Sequence, residues 1–170
     1  MEKENEKNSE DEKSNLEEFK KNYEVLKKKY SLPEFDKLNE DFHIEKVAEH
    51  ESDYLIREIR KFVAEKILNY LRFVETILHP VNGSMFVFSF IKTLTSEEKK
   101  ILSEVYQKLA KKEVQLIELD LIYSEELEAN YIKDVYEEWQ EIKKEFSKVL
   151  KKVKENWDVK IEKNGSSLVN

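Results

Sequence analysis

The sequence contains no cysteine and, in 170 residues, only two prolines and two glycines. Without cysteine the chain cannot form a disulfide, a thiolate metal site or a cysteine nucleophile. Glycine and proline mark turns more strongly than other residues, so their scarcity predicts few and long secondary-structure elements. The absence of cysteine also agrees with a reducing compartment, and we expect the protein to be cytoplasmic.

The sequence also lacks an apolar run long enough to cross a membrane. The apolar run over residues 67–91 contains Arg72, Glu75, Pro80 and Gly83, and a spanning helix would have to place all of them in hydrocarbon. The first residues carry charges where a secretory signal peptide needs an apolar core. We therefore expect a soluble protein that has no membrane partner.

Charged residues are abundant: Asp and Glu number 37, Lys and Arg number 30, and the formal net charge is −7. A composition rich in Glu, Lys and Leu favours long helices. The negative net charge argues against a nucleic-acid partner, because a dedicated nucleic-acid-binding surface carries an excess of positive charge.

Apolar residues recur at helical spacing along most of the chain. In residues 14–30 and again near the C-terminus they alternate at intervals of three and four, the heptad spacing of a coiled-coil seam. The C-terminal seam is the longer of the two and comprises Ile132, Val135, Trp139, Ile142, Phe146, Val149 and Val153. The sequence therefore predicts an all-α fold, a helical bundle of about four to five helices with long central and C-terminal helices.

The predicted central helix, residues 52–79, is the most apolar of these elements. Between Phe62 and Leu78, eleven of seventeen residues are apolar, and they cover more than half of the helix circumference. Such a helix must be covered on two sides, so we expect the rest of the bundle to pack around it.

A further helix is predicted after Thr95, because Thr95 and Glu98 have the spacing of a capping box. This helix has two apolar stripes. One comprises Leu102, Val105, Leu109 and Leu116, and the other comprises Tyr106, Ala110, Val114, Ile117 and Leu121.

Two segments, residues 85–91 and 116–123, fit a strand almost as well as a helix by their pattern. We predict a short buried helix for 85–91, since a lone strand would leave its backbone groups unpaired. We also predict helix for 116–123, although its partial alternation of apolar and acidic residues leaves a strand as the alternative.

The ends of the chain are polar and define the predicted domain organisation. Residues 1–13 have no apolar residue beyond Met1, so we predict a disordered acidic tail there. Ser14 is positioned to cap the first helix. Residues 14–157 are predicted to form a single helical bundle domain, followed by a flexible C-terminal tail over residues 158–170.

No pattern in the sequence is typical of a catalytic, cofactor or metal site. Of the three histidines, only His43 has a carboxylate, Glu40, at the spacing of a ferritin-like metal ligand pair. The second pair that such a site requires is missing, and no glycine-rich phosphate loop is present. We therefore expect no catalytic residues, no cofactor, no metal and no enzymatic activity.

Arginine use is unusual, because the chain has 27 lysines but only three arginines, Arg57, Arg60 and Arg72. All three lie on the predicted central helix, within one arc of its surface. The planar guanidinium group suits bidentate binding of carboxylates and phosphates. These residues are therefore candidates for a partner or anion contact, although an internal salt bridge to a neighbouring helix is the interpretation that we favour.

The last predicted helix is acidic in its first half and basic in its second half. Lys144, Lys148 and Lys151 are spaced so that they form a basic stripe, which is a candidate for binding phosphates. The ordering of charge also complements the helix dipole, and this simpler explanation is the one that we favour.

The sequence is thus typical of a non-enzymatic helical interaction or scaffold protein, either a subunit of a complex or a homo-oligomer. The C-terminal seam is longer than the first helix can cover, so we expect self-association or a partner helix along Trp139–Val153. The alternative is a nucleic-acid-associated accessory protein that uses the arginine face or the lysine stripe.

Overall fold

The computed structural model describes the backbone of residues 2–49 and 52–165 and the side chains of residues 13–49 and 52–156. This part of the chain has seven helices and no strand, so the all-α prediction is confirmed. The helices are α1 (Glu2–Tyr30), α2 (Phe35–Phe42), a 3₁₀ helix (Ile44–Glu49), α3 (Leu55–Leu78), α4 (Met85–Thr93), α5 (Ser96–Leu121) and α6 (Glu125–Gly165). In the part searched, none of them is both long and apolar enough to span a membrane.

Polar side chains define where several helices begin. Before α5, the Thr95 backbone N–H donates to Glu98 Oε2 at 2.6 Å and the Glu98 N–H donates to Thr95 Oγ1 at 3.5 Å, which confirms the predicted capping box. Ser84 Oγ accepts from the Val87 N–H at 3.4 Å before α4, and Ser124 Oγ accepts from the Leu127 N–H at 3.4 Å before α6. These bonds satisfy backbone donors that have no partner within the helix.

The boundaries of the first helix differ from the prediction. Ser14 lies inside α1, which begins at Glu2, so Ser14 does not cap it. The predicted tails stay predictions, because the side chains of residues 1–12 and 157–170 and the whole of residues 166–170 lie outside the described part.

Both ambiguous segments are helical over all or most of their length, and neither is a strand. Residues 85–91 belong to α4, and residues 116–121 complete α5, whereas Ile122 and Tyr123 lie beyond the end of that helix, so the prediction of helix over 116–123 was wrong for these two residues. The prediction that 85–91 is buried was wrong for most of the segment: Val87 and Phe90 are buried, whereas Met85, Phe86 and Phe88 are exposed. A short helix can be covered only on the face that meets its neighbours, whatever the composition of its other face.

The chain divides into two compact units. Unit 1 comprises Met1–Ile67 and Glu113–Glu137, and unit 2 comprises Leu68–Lys112 and Glu138–Asn170. Helices α3, α5 and α6 each contribute residues to both units. The single domain expected over residues 14–157 stays a prediction.

The core of unit 1 is built from one face of each of its helices. The rings of Phe19, Tyr23 and Phe35 meet edge to face with centroids 5.4–6.5 Å apart, and the Tyr23 hydroxyl donates to the Pro33 carbonyl at 2.7 Å. Further buried apolar residues come from the other helices of the unit: Leu38, Phe42, Ile44, Val47, Ile56, Ile59, Val63, Leu116, Leu119, Ile132 and Val135.

The core of unit 2 contains most of the C-terminal seam. The Tyr70 ring of α3 packs against Trp139 at 4.9 Å and against Phe146 at 5.7 Å, and Phe73 packs against Phe146 at 6.0 Å and against Phe90 at 6.1 Å. Trp139 is 3 % exposed, and the other seam residues from Ile142 to Val153 are buried as well.

The expectation of a partner helix along Trp139–Val153 was therefore wrong. It rested on the length of the first helix alone, whereas α3 covers this seam through Tyr70 and Phe73. The seam is already buried within the chain, so it offers no surface to a second one.

Candidate functional site

Arg57 and Arg60 of α3 converge on Glu128, which lies in the first turn of α6. Arg57 Nε donates to Glu128 Oε1 at 3.1 Å, and Arg60 Nε donates to Glu128 Oε2 at 2.7 Å. Arg60 Nη2 also donates to Asp120 Oδ1, at the end of α5, at 2.9 Å. The Glu128 side chain is fully buried and Arg60 is 7 % exposed. We call these four residues the arginine network.

The network is stabilised by charge and by aromatic contacts. Burial lowers the pKa of Arg60, but its hydrogen bond to Glu128 and its attraction to Glu128 and Asp120 outweigh that effect, so the pKa is raised. The Arg57 guanidinium lies 4.4 Å from the centre of the Tyr123 ring, and the Tyr123 ring meets Tyr54 edge to face at 5.1 Å. Arg57 is thus held both by an ion pair and by a cation–π contact.

The three arginines therefore differ in role. The internal salt bridge favoured from the sequence is present for Arg57 and Arg60. Arg60 is paired through Nε and Nη2, whereas Arg57 is paired through Nε alone, so the assignment of these two residues as an anion contact stays a prediction. Arg72 belongs to unit 2, is exposed and has no ion-pair partner among the described residues. Its assignment as a partner or anion contact stays a prediction.

The arginine network fixes the position of the last turns of α5 in unit 1. Asp120 is joined to α3 through Arg60, and α3 is joined to the first turn of α6 through Glu128. Nearby, Lys29 of α1 pairs with Glu125 at 2.8 Å, and the Tyr30 hydroxyl also donates to Glu125. Both contacts lower the pKa of Glu125, with the Lys29 contact the larger cause. At this end of unit 1, ion pairs and hydrogen bonds therefore connect α1, α3, α5 and α6.

An apolar surface lies beside this network on α5. Val114, Ile117 and Leu121 occupy one face of the helix at intervals of three and four residues, and they are 58 %, 59 % and 79 % exposed. Ile122, which follows directly, is also exposed. We call Val114, Ile117 and Leu121 the α5 stripe. Exposed apolar residues are common when scattered, but a row of them on one helix face is a candidate contact surface.

The charges around the α5 stripe have one sign. From residue 113 to residue 132 the chain has six acidic residues and no basic residue. Glu113 and Glu118 flank the stripe on its two sides, and both are exposed. In the part of the chain that the structure describes, neither has an ion-pair partner. The stripe is therefore apolar along its centre and acidic at its edges.

No protein-family model, curated protein or solved structure matches this chain. The function must therefore be inferred from the chemistry of its own surfaces.

The two units differ in net charge. Unit 1 has 27 acidic and 15 basic residues, a net charge of −12, whereas unit 2 has 10 acidic and 15 basic residues, a net charge of +5. The net charge of −7 for the chain conceals this opposition.

The predicted lysine stripe lies in unit 2. Lys144, Lys148 and Lys151 are exposed on one face of α6 and form no ion pair with any described residue. Other lysines of this unit are paired: Lys108 lies 3.3 Å from Glu145, and Lys112 lies 3.1 Å from Glu138. The structure thus brings the three predicted lysines together and leaves their charges unbalanced locally.

Glu40 and His43 are the one pair in the sequence with the spacing of ferritin-like metal ligands. His43 follows α2 as its C-cap, with a φ of 54°, so it does not share a helix face with Glu40. Where side chains are described, no group of three or more His, Cys, Asp or Glu residues is arranged to hold a metal ion.

Sequence reasoning missed the α5 stripe as a surface. Its residues were recognised as one of two apolar stripes on the helix. The spacing of the apolar residues alone does not distinguish that stripe from the buried one. The available signal was the run of acidic residues without a basic one from residue 113 to residue 132, which no other apolar stretch of the chain shows.

Proposed function

We propose that this protein is a non-enzymatic, helical protein-interaction module, and that the α5 stripe binds an amphipathic helix with basic flanks on a partner protein. The observation that carries the proposal is the uncovered row of Val114, Ile117 and Leu121 between exposed carboxylates. The absence of cysteine supports a cytoplasmic setting.

The spacing of the stripe supports a helix as the ligand. Apolar residues at positions i, i+3 and i+7 form one row along a helix face, and a second amphipathic helix can pack its own apolar row against it. Full burial of an aliphatic side chain contributes roughly 1.5–3 kcal/mol to the binding free energy. Burying three side chains that are more than half exposed therefore supplies part of the binding free energy that a micromolar dissociation constant requires.

The flanking charge supports a basic ligand. Glu113 and Glu118 would face the polar edges of a helix docked on the stripe. Lysine or arginine at those edges would be attracted, and glutamate would be repelled. The arginine network supports this proposal too, because it holds the end of α5 in place before any partner arrives, which lowers the entropic cost of binding.

A synthetic helical peptide tests the proposal. The probe is an 18-residue amphipathic peptide with leucines at helical spacing and lysines along both edges, and its match has glutamate at every lysine position. Isothermal titration calorimetry with the full chain should detect the lysine peptide and show an affinity at least about tenfold weaker for the glutamate peptide.

Two matched variants locate the binding site. Ile117→Lys should weaken binding of the lysine peptide by at least about tenfold, because it removes the central anchor and adds a repulsive charge. Val25→Lys makes the same change at a 65 % exposed helical position outside the stripe, and it should leave the affinity nearly unaltered. Equal losses in the two variants, or no binding to the wild-type chain at millimolar peptide, would refute the proposal.

A second candidate function is binding of nucleic acid through the lysine stripe. The unpaired, exposed Lys144, Lys148 and Lys151 in a unit of net charge +5 favour it. It ranks second because the chain as a whole carries a net charge of −7, which opposes the approach of a polyanion.

Fluorescence anisotropy with single- and double-stranded oligonucleotides decides between the two candidates. At physiological ionic strength we expect no binding tighter than roughly 10 µM. The comparison uses a triple variant with Lys144, Lys148 and Lys151 changed to Glu and a control with Lys99, Lys100 and Lys111 changed to Glu, all exposed residues of α5 in the same unit. Micromolar binding that only the first variant loses would make nucleic-acid binding the better proposal.

A further inference from the structure

A second apolar surface lies on α4, in unit 2. Met85 and Phe88 are 82 % and 42 % exposed on the same side of this helix, and Lys92 follows them one turn later on that side. We call Met85 and Phe88 the α4 face. A helix that is apolar on its outer side as well as its inner side needs a cover that the described chain does not supply.

The charge around the α4 face is opposite in kind to the charge around the α5 stripe. Between Glu75 and Glu97 the chain has no acidic residue, and Lys92 is the only residue in that interval with a permanent charge. The α5 stripe, in contrast, lies in a run with acidic residues and no basic one. The units that carry the two surfaces have net charges of +5 and −12.

We propose that the partner of the α5 stripe is a second copy of this chain, which docks through its α4 face. The proposal rests on the proposed function and names the ligand of the same site. The two rows have matching lengths, because the first and last residues are seven positions apart both in Met85 to Lys92 and in Val114 to Leu121, or ~10 Å of helix. Lys92 supplies the positive edge that Glu113 and Glu118 require.

The contact joins two different surfaces, so it is heterologous. After the first contact forms, the pair of copies still has one free α5 stripe, on one copy, and one free α4 face, on the other. Further copies can add at either end, so the mean mass should rise steadily with concentration instead of stopping at a dimer.

Sedimentation velocity with two single variants tests this contact. Ile117→Asp disables the α5 stripe and Met85→Asp disables the α4 face, and both positions are exposed, so both variants should fold. Alone, each variant should stay at the chain mass of 20.5 kDa at a concentration of ~100 µM at which wild type forms larger species. Mixed in equal amounts, they should form a species of twice that mass and nothing larger, since one intact pair of surfaces remains.

Val25→Asp is the control variant, because it places the same charge on an exposed helix surface outside both rows. This variant should associate as wild type does. Variants that fail to recover association on mixing would indicate a symmetric interface and overturn the proposal. A wild-type chain that stays monomeric at ~500 µM would also overturn it. If that monomer still binds the lysine peptide through Ile117, the α5 stripe serves a different protein, and only the self-association is refuted.

Discussion

Replacing Glu128 with Ala is expected to lower the free energy of unfolding by about 3–5 kcal/mol. The substitution removes the carboxylate that Arg57 and Arg60 share, and it leaves the Arg60 guanidinium, 7 % exposed, with only the partly solvated Asp120. A buried cation without its partner pays its full desolvation cost, which exceeds the loss of an exposed ion pair several times over. Urea denaturation followed by circular dichroism at 222 nm measures the change.

Two comparison variants separate the charge effect from the loss of side-chain volume. Glu137→Ala removes an exposed carboxylate from the same helix and should alter the free energy of unfolding by less than about 0.5 kcal/mol. Replacing Glu128, Arg57 and Arg60 together with Leu, Met and Met should cost less than Glu128→Ala alone, because no buried charge is left unpaired. An unfolding free energy for Glu128→Ala within 1 kcal/mol of wild type would contradict the role given to the arginine network.

Replacing Val74 with Asp is expected to have the second large effect, the loss of the folded core of unit 2. Val74 is fully buried on α3, and a carboxylate there must either stay charged in an apolar interior or take up a proton, at a cost of several kcal/mol in both cases. Ordinary domains are stable by only about 5–15 kcal/mol, so most of that margin disappears. The melting temperature from thermal denaturation and the near-ultraviolet circular dichroism, to which the buried Trp139 contributes, report the change.

Val25→Asp is the matched control for this substitution. It makes the same replacement within a helix, so the helix propensity changes equally, but Val25 is exposed. We expect its melting temperature to lie within a few degrees of that of wild type. Similar melting temperatures for the two variants would show that Val74 is not enclosed by the core.

Two predictions that depended on local pattern were accurate. The capping box at Thr95 and Glu98 starts α5, and the seam from Ile132 to Val153 is buried along its whole length. The reason is that backbone hydrogen bonds of a helix and the caps at its ends involve residues within four positions of each other, so a single stretch of sequence contains the information. The periodicity of a helix likewise encodes which rows on its surface are apolar.

The candidate site could be predicted only in part. Arg57 and Arg60 were singled out because the chain otherwise uses lysine, and an internal ion pair was the favoured interpretation. Their partner Glu128 could not be identified, since it is one of 37 acidic residues and lies 68 and 71 positions from the two arginines. Which carboxylate meets a guanidinium depends on how the helices pack, and a sequence of this composition offers many equivalent choices.

The sequence by itself determined that this protein is helical, where α5 begins and which residues are apolar enough to form its cores. Only the tertiary structure decided which apolar rows are covered: on α5 the stripe from Leu102 to Leu116 is buried, and the stripe from Val114 to Leu121 is exposed. The tertiary structure also divided the charge between an acidic and a basic unit. The physical reason is that the hydrophobic effect is not directional. An apolar row on a helix is able to become buried, but only the arrangement of the neighbouring helices determines whether the same chain buries it.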